Sequence, residues 1–314
     1  MTQDSNAADS ADSADSVDSA DSTGRRPGTG GLVGFLSLEE LDRGLYRGWC
    51  HDGTPLRAFG GQVAGQALTA ASRTVPEALA VHSLHGYFLR AGQSSRPMIY
   101  TVEDLRDGHT YATRRVTVTQ NREAIFVLSA SFKLAEPGGH DRQPAPPDSP
   151  DPGELPDYFE LWASTDPEGA EQTAIRQALE VRYMSADPAS SAGAAGVTEQ
   201  RLWVRALEPL PDDPVLHTCA LTYASDLLLA PSTALAVEPP RAMRARPSTV
   251  FLTSLDHALW FHRPFRADRW LLISQQSRTA GDGRGLARSE VWTQDGRLVA
   301  SAVQETVLRP LRER

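Results

Sequence analysis

Apolar and polar positions alternate most regularly near the end of the chain. Two runs rich in apolar and β-branched residues, Ala287–Thr293 and Leu298–Val307, flank the pair Asp295-Gly296. An Asp-Gly pair between two such runs is a strong hairpin signal, because glycine accepts the positive φ that a tight turn requires. Together with Trp270–Gln275, these runs predict three consecutive antiparallel strands.

The same organisation occurs earlier in the chain. Ser83-Leu84 recurs as Ser254-Leu255, and Thr119-Gln120 recurs as Thr293-Gln294, so the two copies differ by a short insertion. A repeat of this kind indicates that one structural unit is present twice. The earlier copy contains four predicted strands: Ser83–Leu89, Pro97–Asp104, Thr110–Thr119 and Ala124–Phe132.

One helical pattern accompanies each copy. In Phe59–Ala71, small apolar residues recur every four positions from Val63, and glycines interrupt the run. Glycine inside a helix costs about 1 kcal/mol relative to alanine, so several of them indicate close backbone packing, as of a thin helix against a curved sheet. A second helix is predicted at Asp213–Ala230, and Pro231 is expected to end or kink it. Helices followed by antiparallel strands predict an α+β fold.

The start of the first unit carries its own helix signal. Ser37 is followed three residues later by Glu40, which is the spacing of a capping box. The sequence therefore predicts a short helix beginning at Ser37, and a first strand at Leu45–Trp49 after it.

These patterns divide the chain into four segments. Residues 1–31 repeat Asp, Ser and Ala with few apolar side chains, which predicts a disordered tail. Residues 32–135 and 178–314 form the two units. Residues 136–177 are a proline-rich linker, extended and poor in regular structure, with one modest helix at Glu168–Ala178.

The composition argues against several classes of protein. A net charge of −9 without basic clusters is unlike a nucleic-acid-binding protein. No run approaches the roughly 18 apolar residues of a membrane span, and the start lacks the regions of a signal peptide. Cys50 and Cys219 lie in different units, which indicates a reducing compartment and makes the cytoplasm the expected location. No side chains have the spacing of zinc ligands, so no metal is expected.

Several longer motifs occur in one order. They include Phe59-Gly-Gly-Gln-Val-Ala-Gly-Gln-Ala, Tyr223-Ala-Ser-Asp and Leu255-Asp-His-Ala-Leu-Trp-Phe-His-Arg-Pro-Phe. In these motifs the chain resembles the acyl-CoA thioesterase II family, over about residues 33–135 and 178–310. The resemblance implies a double hotdog fold, in which two units each wrap a sheet around a helix and the sheets join edge to edge. It also implies hydrolysis of fatty acyl-CoA without a cofactor, and self-association into a homo-oligomer.

The resemblance further implies a catalytic group. The family holds the attacking water with an Asp, a Ser or Thr, and a Gln, which correspond to Asp226, Ser254 and Gln304. A buried carboxylate is costly unless it is paired, so Asp226 either serves catalysis or forms a local cap or salt bridge. Gln304 corresponds to Ala130 in the first copy, and a polar side chain in one copy alone suggests a single working site.

Other polar residues leave alternatives open. Arg278, Arg284 and Arg288 lie near a glycine-containing turn and could bind the phosphates of CoA, although a solvated loop explains them equally well. Neighbouring residues on a strand point to opposite faces, which makes a Ser-His-Asp triad around Asp256 improbable. Three histidines are interpreted as structural: His85, His257 and His262.

Two other functions stay open at the level of the sequence. An enoyl-CoA hydratase of the same fold would need an Asp and His pair, and no histidine is adjacent to Asp226 in the chain. A non-catalytic acyl-CoA-binding protein would not need Asp226, Ser254 and Gln304 together. Hydrolysis of acyl-CoA is therefore the favoured hypothesis.

Overall fold

The computed structural model describes residues 30–51, 57–136, 138–184, 198–235, 237–238 and 248–311. The predicted disordered tail lies outside the described residues except at its end, where a helix begins at Gly31. The helices are α1 (Gly31–Leu36), α2 (Gly60–Ser72), α3 (Tyr158–Thr165), α4 (Pro167–Gln172), α5 (Pro214–Ser225) and α6 (Leu229–Ser232), with 3₁₀ turns at Pro152–Glu154 and Ala174–Gln177.

The strands pair antiparallel in one 13-stranded sheet, ordered β1-β2-β4-β5-β6-β3-β10-β13-β12-β11-β8-β7, with β9 beside β13. In the first half they are β1 (Glu39–Asp42), β2 (Leu45–Gly48), β3 (Leu79–Phe88), β4 (Met98–Asp107), β5 (Tyr111–Gln120) and β6 (Glu123–Leu134). In the second half they are β7 (Leu179–Met184), β8 (Glu199–Ala206), β9 (Val250–Ser254), β10 (Asp256–Phe261), β11 (Leu271–Gly281), β12 (Arg284–Thr293) and β13 (Leu298–Pro310).

The two units join through β3 and β10. Leu84 lies opposite Leu259 in this pair, and both side chains are completely buried. The pairing makes one continuous sheet of the two halves, which confirms the edge-to-edge arrangement and the α+β double hotdog fold. The predicted hairpin is also confirmed: Gly296 has φ of 82°, and the Thr293 amide donates to the Arg297 carbonyl oxygen at 2.9 Å.

The glycines of α2 meet a different neighbour from the expected one. A Cβ on Gly61 would overlap the carbonyl oxygen of Tyr223, and one on Gly65 would lie 3.2 Å from that of Cys219. Both carbonyls belong to α5, so the glycine face packs against the second helix and not against the sheet. The inference of close backbone packing is therefore correct, and its partner is the helix of the other unit.

Helix α5 ends earlier than predicted. Its start agrees with the pattern, because Asp213 accepts from the Val215 amide at 2.9 Å and Pro214 occupies the first turn. The continuous helix predicted to Ala230 is wrong, since α5 ends at Ser225. Leu228 has φ of 60°, a left-handed conformation that interrupts the helical hydrogen bonds before α6.

The helix predicted from Ser37 is also wrong. Ser37 follows the end of α1, where its hydroxyl donates to the Val33 carbonyl oxygen at 2.8 Å, and Glu39 belongs to β1. Burial of Leu32 and Phe35 places the helix before the serine. Glu39 instead pairs with Arg47 on the neighbouring strand at 2.7 Å.

The region between the units holds more structure than its prolines suggested. Asp157 caps α3 by accepting from the Phe159 and Glu160 amides, and Trp162 is buried. The predicted helix at Glu168–Ala178 is divided between α4 and a 3₁₀ turn. None of the helices in the described part of the chain is long and apolar enough to cross a membrane.

The contact between α2 and α5 leads to a stability prediction. Gly61→Ala should lower the free energy of unfolding by about 1–3 kcal/mol, because the new methyl group forces the helices apart. Chemical denaturation measures the change. Gly281→Ala is the matched control, since nothing lies within 4 Å of a Cβ at that position. Equal stabilities for the two variants would show that the helices do not depend on this contact.

Candidate active site

Three side chains from separate elements meet beneath the junction of the units. The Gln304 amide nitrogen donates to Asp226 Oδ1 at 2.8 Å and to Ser254 Oγ at 2.8 Å. Gln304 is completely buried and Asp226 is 8% exposed, so the carboxylate is almost withdrawn from water. The structure thus brings together all three residues that were predicted for the site.

The local fold explains why these residues meet. Asp226 is the first residue after α5, so the early end of the helix places its side chain at the helix terminus. Ser254 lies opposite Thr306 in the pairing of β9 with β13, and Gln304 is two residues from Thr306 on the same face. The Asp256 carboxylate accepts from the Glu305 amide at 2.7 Å and holds the crossing from β9 to β10.

The second oxygen of Asp226 faces the start of α2. A Cβ on Gly60 would lie only 2.8 Å from Asp226 Oδ2, so glycine is needed there for the carboxylate to approach the backbone. The first amides of a helix have no partner within it and carry partial positive charge. The carboxylate, the serine hydroxyl and the Gly60 end of α2 therefore converge.

A pocket of ≈ 370 Å³ opens at this point between the two units. Gly60, Val63 and Phe88 line it from the first unit, and Asp226 and Ser254 line it from the second. The Phe88 ring packs on that of Phe126 with centroids 4.7 Å apart, which makes one wall apolar. The site is thus polar at its floor and apolar at its side.

The arginines predicted to bind substrate do not line this pocket. Arg284 forms ion pairs with Glu305 at 3.0 Å and with Asp282 at 3.3 Å, and Arg278 and Arg288 both donate to the Gln276 side-chain oxygen. These contacts hold the three guanidinium groups along the outer part of β11 and β12. The arginines that do line the pocket are Arg57 and Arg90. No spacing in the sequence distinguished them, because their loops approach the site only in the folded chain.

His257 belongs to the surroundings of the site. Its ring is completely buried, and its Nε2 lies 2.9 Å from the Ser225 hydroxyl, one residue before Asp226. Its Nδ1 meets no acceptor in hydrogen-bond geometry among the described residues, although the Gln304 side chain lies close enough to act on the ring. Burial lowers the pKa of His257, against the opposing effects of Asp226, Asp256 and Gln304, which favours the neutral ring.

The other two histidines have local partners. His262 Nε2 lies 2.8 Å from the Ser301 hydroxyl, and the His85 ring meets Trp260 edge-on with centroids 5.0 Å apart. Neither residue lines the pocket that holds Asp226. Their structural role is consistent with these contacts.

Both halves of the chain match domains of a known protein family. Residues 47–133 match the N-terminal domain of acyl-CoA thioesterases, and residues 144–308 match the C-terminal domain. The chain belongs to the acyl-CoA thioesterase II family. The family is one of thioester hydrolases. The first match lies within the first unit, and the second match covers most of the second unit together with much of the region between the units.

Individual thioesterases are similar over most of their length. Acyl-coenzyme A thioesterase 8 of Rattus norvegicus is 37% identical over 288 residues, which cover 87% of this chain and 87% of that protein. Acyl-CoA thioesterase 2 of Haemophilus influenzae is 34% identical and covers 88% of this chain and 96% of its own length. The crystal structure of the acyl-CoA thioesterase II TesB2 from Mycobacterium marinum aligns with a TM-score of 0.73 at 41% identity, over 89% of this chain and 98% of that one.

The burial of His257 predicts a pH dependence in this thioesterase. Its pKa is lower in the folded protein than in the unfolded chain, so the unfolded chain binds the proton first as the pH falls. The free energy of unfolding should therefore decrease from about pH 7.5 to about pH 5.5. Asp268, whose pKa is lowered to about 2 by its hydrogen bond with Arg266, stays ionised over this range.

Urea denaturation at several pH values tests this expectation. His257→Gln should show a weaker dependence than the wild type, because the buried titrating group is gone. Burial also lowers the pKa of His82, His217 and His262, so some dependence should persist. An unchanged dependence in the variant would mean that His257 does not titrate differently on folding.

Proposed function

We propose that this chain hydrolyses acyl-CoA thioesters to a fatty acid and CoA with a water molecule activated by Asp226. The observation that carries the proposal is the pair of hydrogen bonds from Gln304 to Asp226 and Ser254. They hold a carboxylate and a hydroxyl side by side at the floor of a pocket with an apolar wall. A thioester carbonyl is electrophilic enough for water to attack it directly once a base accepts the proton.

Each of the three side chains has a defined part in this reaction. Gln304 uses its amide nitrogen on both neighbours, so it fixes Asp226 and Ser254 relative to each other. Ser254 accepts from Gln304 and keeps its own hydrogen to donate to the water oxygen. Asp226 then takes a proton from the water while the oxygen bonds to the carbonyl carbon. When the carbon–sulfur bond breaks, the proton passes to the CoA sulfur.

The start of α2 supplies the donors that the developing oxyanion needs. The Gly60 and Gly61 amides stand at the N-terminus of a 13-residue helix, and Gly60 lies beside Asp226 Oδ2. Backbone amides in the first turn of a helix are free of helical partners and point at an anion placed there. We assign the thioester carbonyl oxygen to these amides.

The other residues that line the pocket suggest how the substrate is oriented in it. Arg57 and Arg90 stand at the pocket and suit the phosphates of CoA, in place of the arginines predicted from the sequence. Arg90 is already oriented by the Ala124 carbonyl oxygen at 2.8 Å and by Glu123 at 3.6 Å. The acyl chain would pass along the Phe88 wall. Self-association into a homo-oligomer stays a prediction from the family resemblance.

The enoyl-CoA hydratase alternative has one structural point in its favour. The fold brings His257 close to Asp226, although the two are far apart in sequence. His257 is completely buried, however, and does not line the pocket that holds Asp226. A panel of acyl-CoAs with a thiol reagent separates the functions: a thioesterase releases free CoA, a hydratase consumes enoyl-CoA without a thiol, and a binding protein does neither.

The substitution Asp226→Asn tests whether Asp226 is the base, because it keeps the shape of the side chain and removes the proton acceptor. The kcat for CoA release should fall by about 10²–10⁴, the usual contribution of a general base. Asp282→Asn is the matched control, because its carboxylate is 91% exposed and lies outside the pocket. Circular dichroism verifies folding. Near-normal turnover by folded Asp226→Asn would assign the base elsewhere.

The two positioning side chains should contribute less. A hydrogen bond to a charged group is worth about 1.5–3 kcal/mol, so Gln304→Ala should lower kcat by about tenfold to a hundredfold. Ser254→Ala should cost a similar or smaller factor, because the base stays in place. The double variant should lose less than the product of the single losses if the three side chains act as one unit. Independent, multiplying losses in the same assay would contradict that unit.

A further inference from the structure

The two units can be superposed residue by residue through their pairing registers. Arg114 lies opposite Ala130 in the pairing of β5 with β6, as Ala287 lies opposite Gln304 in that of β12 with β13. Val81 lies opposite Phe132, as Ser254 lies opposite Thr306. Position 130 therefore corresponds to Gln304, and position 81 to Ser254. This register corrects the match of Ser83 with Ser254 that the sequence suggested, by two residues.

The helix ends correspond in the same way. Leu68-Thr69-Ala70-Ala71-Ser72-Arg73 closes α2, and Leu221-Thr222-Tyr223-Ala224-Ser225-Asp226 closes α5. Arg73 thus occupies the position of Asp226. The first unit carries Arg, Val and Ala where the second carries Asp, Ser and Gln, so the three side chains proposed for hydrolysis are absent from these positions.

A second pocket nevertheless lies at the position equivalent to the active site. It measures ≈ 800 Å³, against ≈ 370 Å³ for the pocket at Asp226. Val81 lines it as Ser254 lines the active site, and Phe261 lines it as Phe88 does, from the matching strings Trp260-Phe261-His262-Arg263 and Tyr87-Phe88-Leu89-Arg90. The first unit thus has a pocket at this position but lacks the three side chains proposed for hydrolysis.

The lining of this second pocket is both apolar and basic. Val81, Phe261, Phe265 and Trp270 contribute apolar surface. Basic side chains outnumber acidic ones, in a chain whose net charge is −9. The basic residues are Lys133, Arg263, Arg266, Arg269 and Arg297, and the acidic ones are Asp212 and Asp295.

Two of these cations form no ion pair with a described residue, although Asp141, the partner of Arg263, also acts electrostatically on Arg297. Arg263 pairs with Asp141, and Arg266 pairs with Asp212 and Asp268. No ion pair within the described ranges involves the guanidinium group of Arg269 or that of Arg297. Both side chains are exposed at the pocket and stand ready for an external anion.

A buried donor without an acceptor also belongs to this pocket. His217 is 3% exposed and lines the cavity, and its Nδ1 accepts from the Ala267 amide at 3.1 Å. The Nε2 atom must then carry the hydrogen of the neutral ring, and it has no partner in the described part of the chain. Burial lowers the pKa of His217, with Arg266 adding to the effect, so the ring stays neutral. An unpaired buried donor is costly, and a ligand oxygen would satisfy it.

We propose that the second pocket binds an anionic amphiphile without hydrolysing it, with the anion on Arg269 and Arg297 and the chain against Phe261 and Trp270. A ligand oxygen would accept from His217. This inference rests on the proposed function, which supplies two anionic amphiphiles. They are the acyl-CoA substrate with its phosphates and the fatty acid product with its carboxylate. Arginine recognises either group through paired hydrogen bonds.

Calorimetric titration with S-dodecyl-CoA, a thioether that water cannot cleave, tests the proposal on the full chain. The wild type should bind two equivalents per chain, one in each pocket. Arg269→Glu combined with Arg297→Glu should bind one equivalent and keep kcat/KM for acyl-CoA within about twofold. Arg115→Glu combined with Arg176→Glu is the matched control, with the same change in charge at exposed positions outside the pocket, and should bind two.

Two further titrations identify the ligand group and control for the change in charge. His217→Phe should weaken the second equivalent at least tenfold while leaving the charge unchanged. Titration with dodecanoate distinguishes a site that accepts a carboxylate from one that requires the phosphates of CoA, and either result supports an anionic amphiphile. One equivalent in the wild type, or equal loss in the control, overturns the proposal. Two equivalents in a chain that releases no CoA would instead refute the proposed hydrolysis alone.

Discussion

The close approach of α2 to α5 is the constraint on which the rest of the structure depends. Only glycine at positions 61 and 65 lets the two backbones come so near, because any side chain there would meet the carbonyls of Tyr223 and Cys219. This contact brings the amide end of α2 to the carboxyl end of α5, where Asp226 stands. A helix N-terminus favours an adjacent negative charge, so the packing of two helices also creates the electrostatic setting of the site. In the proposed mechanism, catalysis and stability therefore depend on the same contact between the two helices.

The two units share a framework but not the group formed by Asp226, Ser254 and Gln304, and the cost of buried polar groups accounts for the asymmetry. A polar side chain in the core is costly unless it is hydrogen-bonded, so a buried polar group is expected only where it serves stability or function. In the second unit, Gln304 satisfies Asp226 and Ser254. In the first unit, the position of Gln304 is an alanine, and the neighbouring buried Arg114 is paired with Asp104 and Asp107 and donates to Thr74. The buried charge of the first unit, Arg114, belongs to a structural network, whereas that of the second unit, Asp226, belongs to the candidate site.

The sequence predicted the sheet better than the helix ends. Alternating strands and the Asp295-Gly296 turn depend on neighbours along the chain, so local patterns suffice for them. The end of α5 depends on Leu228 adopting a left-handed conformation, which no local preference of leucine indicates. The helix was predicted on the wrong side of Ser37, because a capping box is a local signal of four residues. The helix lies before Ser37, where it buries Phe35 in the core. Arg57 and Arg90 were missed for the same reason: loops distant in sequence bring them to the pocket.

Under the proposed mechanism, Asp226 needs a neutral neighbour and not a charged one. A protonated histidine beside the carboxylate would hold it as an ion pair and make it a poorer proton acceptor. Burial keeps His257 neutral although Asp226 and Asp256 both favour its charged form. The ring can then meet the Ser225 hydroxyl at 2.9 Å, at the last residue of α5, without adding charge to the pocket. Desolvation of one ring thus keeps a cation away from the proposed base, and the cost of that desolvation appears as a dependence of stability on pH.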